Sequence, residues 1–240
     1  MALPKLNQTF NFSIKVPSLK KKFPARAYLT KEEKILLFAA ESNDPKEFLK
    51  ATKQIIKNCV DFGDKNTVDD LAMFDLEYVF LKLRSFSVGE TTNIKSKCSV
   101  CDEYVDHTID LRNVELNELD NYKPIIDLGS GVKVQLRCPS VDDIIDKAAD
   151  SIVKDKPSAR QLFDFLLLVI EKIYFNEEMF DFQKEPKKEQ EAFIDQFTQD
   201  QLMKVGDFIN NLPKVTLVHK FNHCEKDQEL VLEGLQDFFS

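Results

Sequence analysis

Cys98-Ser99-Val100-Cys101 is the stretch of sequence that most constrains the fold. Two thiols at C-x2-C spacing lie on one tight turn, so both sulfurs can reach a single metal ion. A redox dithiol would require a thioredoxin-like βαβ context. Here a helical pattern and a loop precede the motif and a strand pattern follows it. This order favours one half of a zinc ribbon.

The other half of such a site must come from elsewhere, because a structural zinc ion takes four ligands. Residues of suitable type lie near position 220, beside further strand patterns. His223 and Cys224 would complete a site with the two cysteines. His219 and Asp227 are alternative ligands, since His219-x3-His223 has zinc-finger spacing and Cys224-x2-Asp227 resembles an altered knuckle. Either set predicts one structural zinc ion that joins the middle of the chain to its C-terminal strands.

Helical periodicity covers most of the remaining chain. Apolar residues recur at helical spacing over 30–90 and again over 140–212. Thr198 and Gln201 have the spacing of a capping box. The run over 159–175 is apolar nearly all round, which predicts one central buried helix.

Strand patterns occupy the knuckle region and the C-terminus. Residues 104–111 alternate between apolar and polar side chains. Gly129-Ser130-Gly131 separates two β-rich runs and predicts a hairpin. Together these patterns predict an α+β fold that is helix-rich, with a small antiparallel sheet and a zinc-ribbon-like knuckle.

The predicted domain organisation has two parts. Residues 1–29 read as an extended N-terminal arm, and residues 30–240 as a single interdigitated α+β domain, because the two halves of the zinc site lie far apart in the sequence. Within that domain the order is helices at 30–90, strands and knuckle at 95–139, helices at 140–212 and C-terminal strands at 213–240.

Composition limits the function classes. The net charge is −8 over 240 residues, which argues against nucleic-acid binding because phosphates require cations. No apolar run reaches transmembrane length, so no membrane is expected. Five cysteines, an odd number, do not indicate a disulfide framework, and a reducing cytoplasm is expected. Two of the three histidines fall in the zinc region and no catalytic triad is evident, so no catalytic residues are predicted.

Several segments, taken in order, resemble the baseplate hub assembly proteins of T4-type contractile-tailed bacteriophages. The resemblance extends over nearly the whole chain, and its most specific part is Leu-Arg-Ser-x-Ser-x-Gly followed by Cys-x2-Cys. The segments that carry it are Val16-Pro17-Ser18, the start of a helix at 28–34, Leu71-Ala72-Met73-Phe74-Asp75-Leu76-Glu77-Tyr78, Leu83-Arg84-Ser85-Phe86-Ser87-Val88-Gly89-Glu90, Cys98 with Cys101, and Gly234-Leu235-Gln236-Asp237-Phe238-Phe239.

The resemblance implies a non-enzymatic role in building the hub of the tail baseplate. The expected partners are other baseplate hub or tail assembly proteins. The expected location is the host cytoplasm during assembly, as an assembly chaperone, or the baseplate of the virion as a structural subunit. The resemblance also implies a second Cys-x2-Cys near the C-terminus, where this sequence has only Cys224 with histidines beside it.

Four residues are predicted to contact partner proteins: Arg84, Phe86, Phe238 and Phe239. Arginine and aromatic residues are enriched in interface hot spots. Arg84 and Phe86 also fit a simple helix C-terminus that ends at Gly89. A different function stays open, that of a zinc-ribbon regulator that binds nucleic acid, although the acidic charge disfavours it.

Overall fold

The fold is divided into two compact units. The computed structural model describes residues 10–42, 44–117, 124–148 and 159–238. Unit 1 comprises Met1–Asn117 and Lys214–Ser240, and unit 2 comprises Glu118–Pro213. The sequence predicts one undivided domain over 30–240, whereas the contacts place a boundary on each side of unit 2. Unit 1 is itself interdigitated, since its two segments are separated in sequence by all of unit 2.

Seven helices occur in the described residues, and none of these is both long and apolar enough to cross a membrane. They are α1 Thr30–Glu41, α2 Pro45–Cys59, α3 Met73–Ser87, α4 Val141–Asp143 with a π-helical continuation over Ile144–Ala148, α5 Ala159–Val169, α6 Lys187–Ile194 and α7 Gln199–Asn210. Thr198 caps α7 through the N–H of Gln201, so the predicted capping box is confirmed.

The strands of the described residues form four small antiparallel sheets, which confirms the α+β class. The sheets have the orders β1–β2, β3–β4, β11–β10–β5 and β6–β7–β8–β9. The strands are β1 Phe12–Val16, β2 Lys21–Ala25, β3 Thr91–Lys97, β4 Tyr104–Asp110, β5 Glu115–Leu116, β6 Ile125–Gly129, β7 Val132–Leu136, β8 Ile170–Phe175, β9 Glu178–Asp181, β10 Val215–His223 and β11 Lys226–Glu233.

The single helix predicted over 159–175 is wrong in its second part. The helix α5 ends at Val169, and the chain continues as the strand β8. β8 pairs with β7 on one side and β9 on the other, so both edges of its backbone are hydrogen-bonded. A short apolar run fits a buried strand as well as a buried helix, and sheet pairing decides between them.

The N-terminal region forms a paired hairpin in its described part, instead of an extended arm. Residues 1–9 of the predicted arm lie outside the described residues. Ile14, Val16 and Phe23 are buried on one face of the hairpin. The turn is fixed to α3, because Ser18 donates hydrogen bonds from its N–H and its hydroxyl to the buried carboxylate of Asp75.

A buried ion pair connects the hairpin to α1 and α2. The guanidinium of Arg26 donates to Glu32 Oε1 at 3.0 Å and to the carbonyl of Asn58 at 2.9 Å. The other carboxylate oxygen of Glu32 accepts the N–H of Leu29, the residue that caps α1. The helix α3 contributes strongly to the core of unit 1, where its Phe80, Leu81 and Leu83 are fully buried.

The chain passes into unit 2 after β5 and returns to unit 1 at β10, and these two strands are neighbours in one sheet. β5 and β10 pair through Leu116 and Val215. Just beyond them the N–H of Asn117 donates to the carbonyl of Lys214, and the N–H of Lys214 donates to Asn117 Oδ1 at 2.8 Å. Unit 2 is therefore an insertion between two neighbouring strands of unit 1.

Candidate metal centre

The Cys-x2-Cys motif forms a knuckle between β3 and β4. The N–H of Cys98 donates to the carbonyl of Glu103 at 2.8 Å, and the N–H of Asp102 donates back to the carbonyl of Cys98 at 3.1 Å. Asp102 has a φ of 62°, which reverses the chain. The N–H of Val100 donates to Cys98 Sγ at 3.4 Å. The turn therefore holds Cys98 and Cys101 at one end of the hairpin with N–H donors directed at a sulfur.

The second pair of ligand residues lies at the turn between β10 and β11. His223 pairs with Lys226, which leaves Cys224 and Glu225 as a two-residue loop with φ values of 56° and 59°. Such a loop requires positive φ at both central residues and usually contains Gly or Asn. A left-handed conformation at two non-glycine residues is unfavourable. This turn nevertheless allows the adjacent His223 and Cys224 to reach the same point.

The two turns bring four ligand atoms together. One donor atom from each of Cys98, Cys101, His223 and Cys224 lies within 4.8 Å of the others, and Cys101 Sγ is 3.4 Å from Nε2 of His223. In a tetrahedral zinc site the ligand atoms are about 3.5–3.8 Å apart, given the usual Zn–S and Zn–N bond lengths. The cluster can therefore hold a metal ion after a small contraction.

The thiols of Cys98 and Cys224 have very different pKa values. Hydrogen bonds from the backbone N–H groups of Cys101 and Val100 lower the pKa of Cys98 to about 6, which favours the thiolate form that binds metals. A hydrogen bond that the Cys224 thiol donates to Cys101, together with burial, raises the pKa of Cys224 to about 11. Neighbouring thiolates repel one another, so full ionisation of the cluster requires a positive ion between them.

Gln228 is a site residue that sequence reasoning missed. Its Nε2 donates to Cys98 Sγ at 3.5 Å and to the carbonyl of His223 at 3.0 Å, so one amide contacts both halves of the cluster. Outer groups of this kind orient metal ligands and tune their basicity. No spacing rule marks a glutamine on β11, and only the register of the strand pair places it there.

The alternative ligands lie apart from this cluster. His219 packs edge-on against the buried ring of His107, with ring centroids 5.3 Å apart. Asp227 accepts a hydrogen bond from Asn222 at 2.8 Å. Since His219 and His223 are on one strand, four residues separate their Cα atoms by about 13 Å. Zinc-finger spacing brings two histidines together on a helix, and β10 is extended.

A comparison with protein families identifies the chain. The family model described as T4 bacteriophage base plate protein matches residues 8–240. The chain belongs to this family. Comparisons with curated proteins and with solved structures give no match.

The residues predicted to contact partners lie in different environments in this baseplate protein. Phe86 is 57% exposed at the end of α3 and stacks on Phe12 with ring centroids 4.2 Å apart. Arg84 is half-buried and donates to Thr92 Oγ1 at 3.3 Å. Phe238 is 1% exposed and fills the core of unit 1, so its ring is not available to a partner. Phe239 lies outside the described residues.

Proposed function

We propose that this baseplate protein is a non-enzymatic hub assembly factor or hub structural subunit that acts through contacts with other hub or tail proteins. The family match over 8–240 is the observation that carries the proposal. A baseplate is built from protein subunits, and a member of such a family needs surfaces that bind neighbours. The proposed place of action is the host cytoplasm during assembly or the finished tail.

An exposed apolar surface supports this proposal. Phe86 and Val88 are each 57% exposed and Leu29 is 41% exposed. The N–H of Tyr28, which precedes Leu29, bonds Ser87 Oγ at 3.0 Å, so Leu29 lies beside the end of α3. We call Phe12, Leu29, Phe86 and Val88 the Phe86 patch. Clustered aromatic and aliphatic side chains at a surface are typical of protein interfaces.

The proposed metal is one structural zinc ion bound by Cys98, Cys101, His223 and Cys224. Three thiolates and one imidazole form a usual set of ligands for structural zinc. The ion would fix the knuckle to the β10–β11 turn, two exposed loops from distant parts of the chain. A site with all four positions filled by protein leaves no open position for catalysis, so the ion would act on stability.

The alternative of a nucleic-acid-binding zinc ribbon has less support from the charges around the cluster. Three of the four lysines of the two hairpins are paired with carboxylates: Lys95 with Asp106, Lys97 with Asp102, and Lys220 with Glu229. Binding to phosphates depends on unneutralised cations. The ribbon hairpins offer a balanced surface instead of a basic one.

Co-expression with the hub proteins of the same phage tests the proposed function. The tagged protein is expected to co-purify with at least one of them, and Phe86→Ser is expected to weaken that complex by about tenfold or more, as loss of an interface aromatic does. Met203→Ser is a matched control, since Met203 is 55% exposed in unit 2. Failure of the wild-type protein to bind any hub or tail protein would contradict the proposal.

A further inference from the structure

The β1–β2 hairpin carries an unusual arrangement of charge. Lys15 and Lys22 are directly opposite each other in the strand register, and both are exposed. Like charges at opposed positions of an antiparallel pair destabilise it. A two-stranded hairpin is marginal to begin with. The Lys15–Lys22 pair therefore does not serve to stabilise the hairpin.

The other two hairpins of unit 1 show the opposite pattern at their lysines. In β3–β4, Lys95 is opposite Asp106, and in β10–β11, Lys220 is opposite Glu229. Both pairs form ion pairs, at 3.5 Å and 3.1 Å. Lys95 and Lys220 are thus neutralised by carboxylates across their strands, whereas Lys15 and Lys22 of the first hairpin are opposite each other.

The positive charge of this hairpin extends into its turn. Lys20 and Lys21 are also exposed, and within the described parts of the chain none of the four lysines makes an ion pair. Lys15 and Lys22 share the exposed face of the strand pair and Lys20 and Lys21 lie at its turn; we call these four lysines the basic hairpin face. It occurs in a protein of net charge −8, so this local excess runs against the overall composition.

We infer that the basic hairpin face binds a carboxylate-rich surface of a partner protein. Opposed cations that destabilise the free hairpin become favourable when carboxylates of another chain lie against them. The Phe86 patch adjoins the same hairpin, because Phe12 begins β1, on the face opposite Lys15, and stacks on Phe86. An apolar centre with a charged rim is the usual anatomy of a protein interface.

A protein partner fits these observations better than a nucleic acid. Four lysines would neutralise only a few phosphates, and the net charge of −8 repels the rest of a polyanion. An acidic protein surface has a lower charge density than a nucleic acid, and it also offers apolar groups to the Phe86 patch. The inference rests on the proposed function, since it names the chemistry of the partner surface.

Zero-length cross-linking provides the direct test. The tagged full-length protein is co-expressed with the hub proteins of the same phage and treated with a carbodiimide, which joins a lysine amine to a carboxylate in contact with it. Mass spectrometry is expected to find cross-links from Lys15 or from residues 20–22 to Asp or Glu of a hub protein. The double variant Lys15→Glu/Lys22→Glu should remove the cross-links from positions 15 and 22, reduce those from Lys20 and Lys21, and lower the association rate about tenfold or more at low salt.

Two further variants separate binding from folding. Lys46→Glu/Lys57→Glu makes the same change in net charge on α2, at half-buried Lys46 and exposed Lys57, and should leave the complex intact. Lys22→Glu alone places opposite charges across the hairpin, so it should raise Tm while it weakens the complex. A purely structural role for Lys22 would not produce these opposite effects.

The outcomes distinguish the inference from the proposed function. A complex that forms equally well with Lys15→Glu/Lys22→Glu overturns the inference and leaves the proposed function in place. Absence of any complex with the wild-type protein overturns both. Wild-type binding to duplex DNA that is tighter than binding to the hub proteins, and that is lost in the double variant, overturns the inference in favour of a nucleic-acid partner.

Discussion

Cys101 Sγ lies 3.4 Å from Nε2 of His223, although 122 positions separate these residues in the chain. The contact joins the turn of one hairpin to the turn of another, and both belong to unit 1. Loop closure over so long a segment is entropically unfavourable in the unfolded chain. A bond through a metal ion at this point would therefore be a constraint on the fold that local sequence cannot supply.

Zinc binding is the first consequence to test. We expect one zinc ion per chain by native mass spectrometry, and loss of that ion in Cys101→Ser. Free zinc at 100 times its Kd adds about 2.7 kcal/mol to the free energy of unfolding. For a protein of this size that corresponds to a rise in Tm of about 5–10 °C over the chelated protein.

The control for this experiment is Cys138→Ala, which removes a buried thiol of unit 2 and leaves the cluster unchanged. It should retain the ion. A wild-type protein that is purified without zinc, and whose Tm does not respond to added zinc, would show that the cluster is a set of free thiols.

Gln228 should tune the affinity of the cluster without being a ligand. In Gln228→Leu the four ligand residues remain, but the amide that donates to Cys98 Sγ and to the carbonyl of His223 is lost. We expect a 10–100-fold weaker zinc affinity, which is typical for the loss of an outer hydrogen bond. Competition with a chromophoric chelator measures this change. An unchanged affinity would mean that the hairpin turns alone position the ligands.

The sequence predicts the four residues that cluster here because the strongest part of the pattern is local. Cys98 and Cys101 are on one turn, and the C-x2-C spacing alone places their two sulfurs close together. The position of the other half, His223 and Cys224, depends on the register of β10 and β11, which the sequence does not specify. His219 therefore stayed an alternative to His223 until the extended geometry of β10 separated them, and Gln228 carried no signal in the sequence.

The fold shows the same division between local and non-local information. Caps and turns such as Thr198 with Gln201 were predictable because their hydrogen bonds are made within a few residues. The strand β8 was not, because Ile170–Phe175 becomes a strand only through pairing with β7 and β9. The division into two units also depends on which distant strands become neighbours.

Glu77 should make stability depend on pH. Burial raises its pKa to about 7, an effect that the hydrogen bond from the N–H of Leu235 only partly offsets. In the unfolded chain the group titrates near its ordinary value of 4.5. The folded protein therefore binds more protons between these values, and its stability should fall as pH rises from 4.5 through 7.

The variant Glu77→Gln isolates this effect. It keeps an oxygen to accept the N–H of Leu235 and removes the charge. We expect a higher Tm than wild type at pH 8, no difference near pH 4, and a flatter pH dependence between them. Parallel curves for the two proteins across this range would show that Glu77 is ionised in the folded state without penalty.

Unit 2 should be removable without loss of the fold of unit 1. Asn117 and Lys214 are already hydrogen-bonded neighbours at the ends of β5 and β10. Antiparallel strands can be joined by a loop of two residues, so a short Gly-Asn turn can replace residues 118–213. We expect the shortened protein to unfold cooperatively by circular dichroism and to bind one zinc ion.

The same deletion in a Cys101→Ser background should lose the ion and melt at a lower temperature. A shortened protein that is unfolded with zinc present would mean that unit 1 depends on unit 2 for its stability, and the description of unit 2 as an independent insertion would then be wrong.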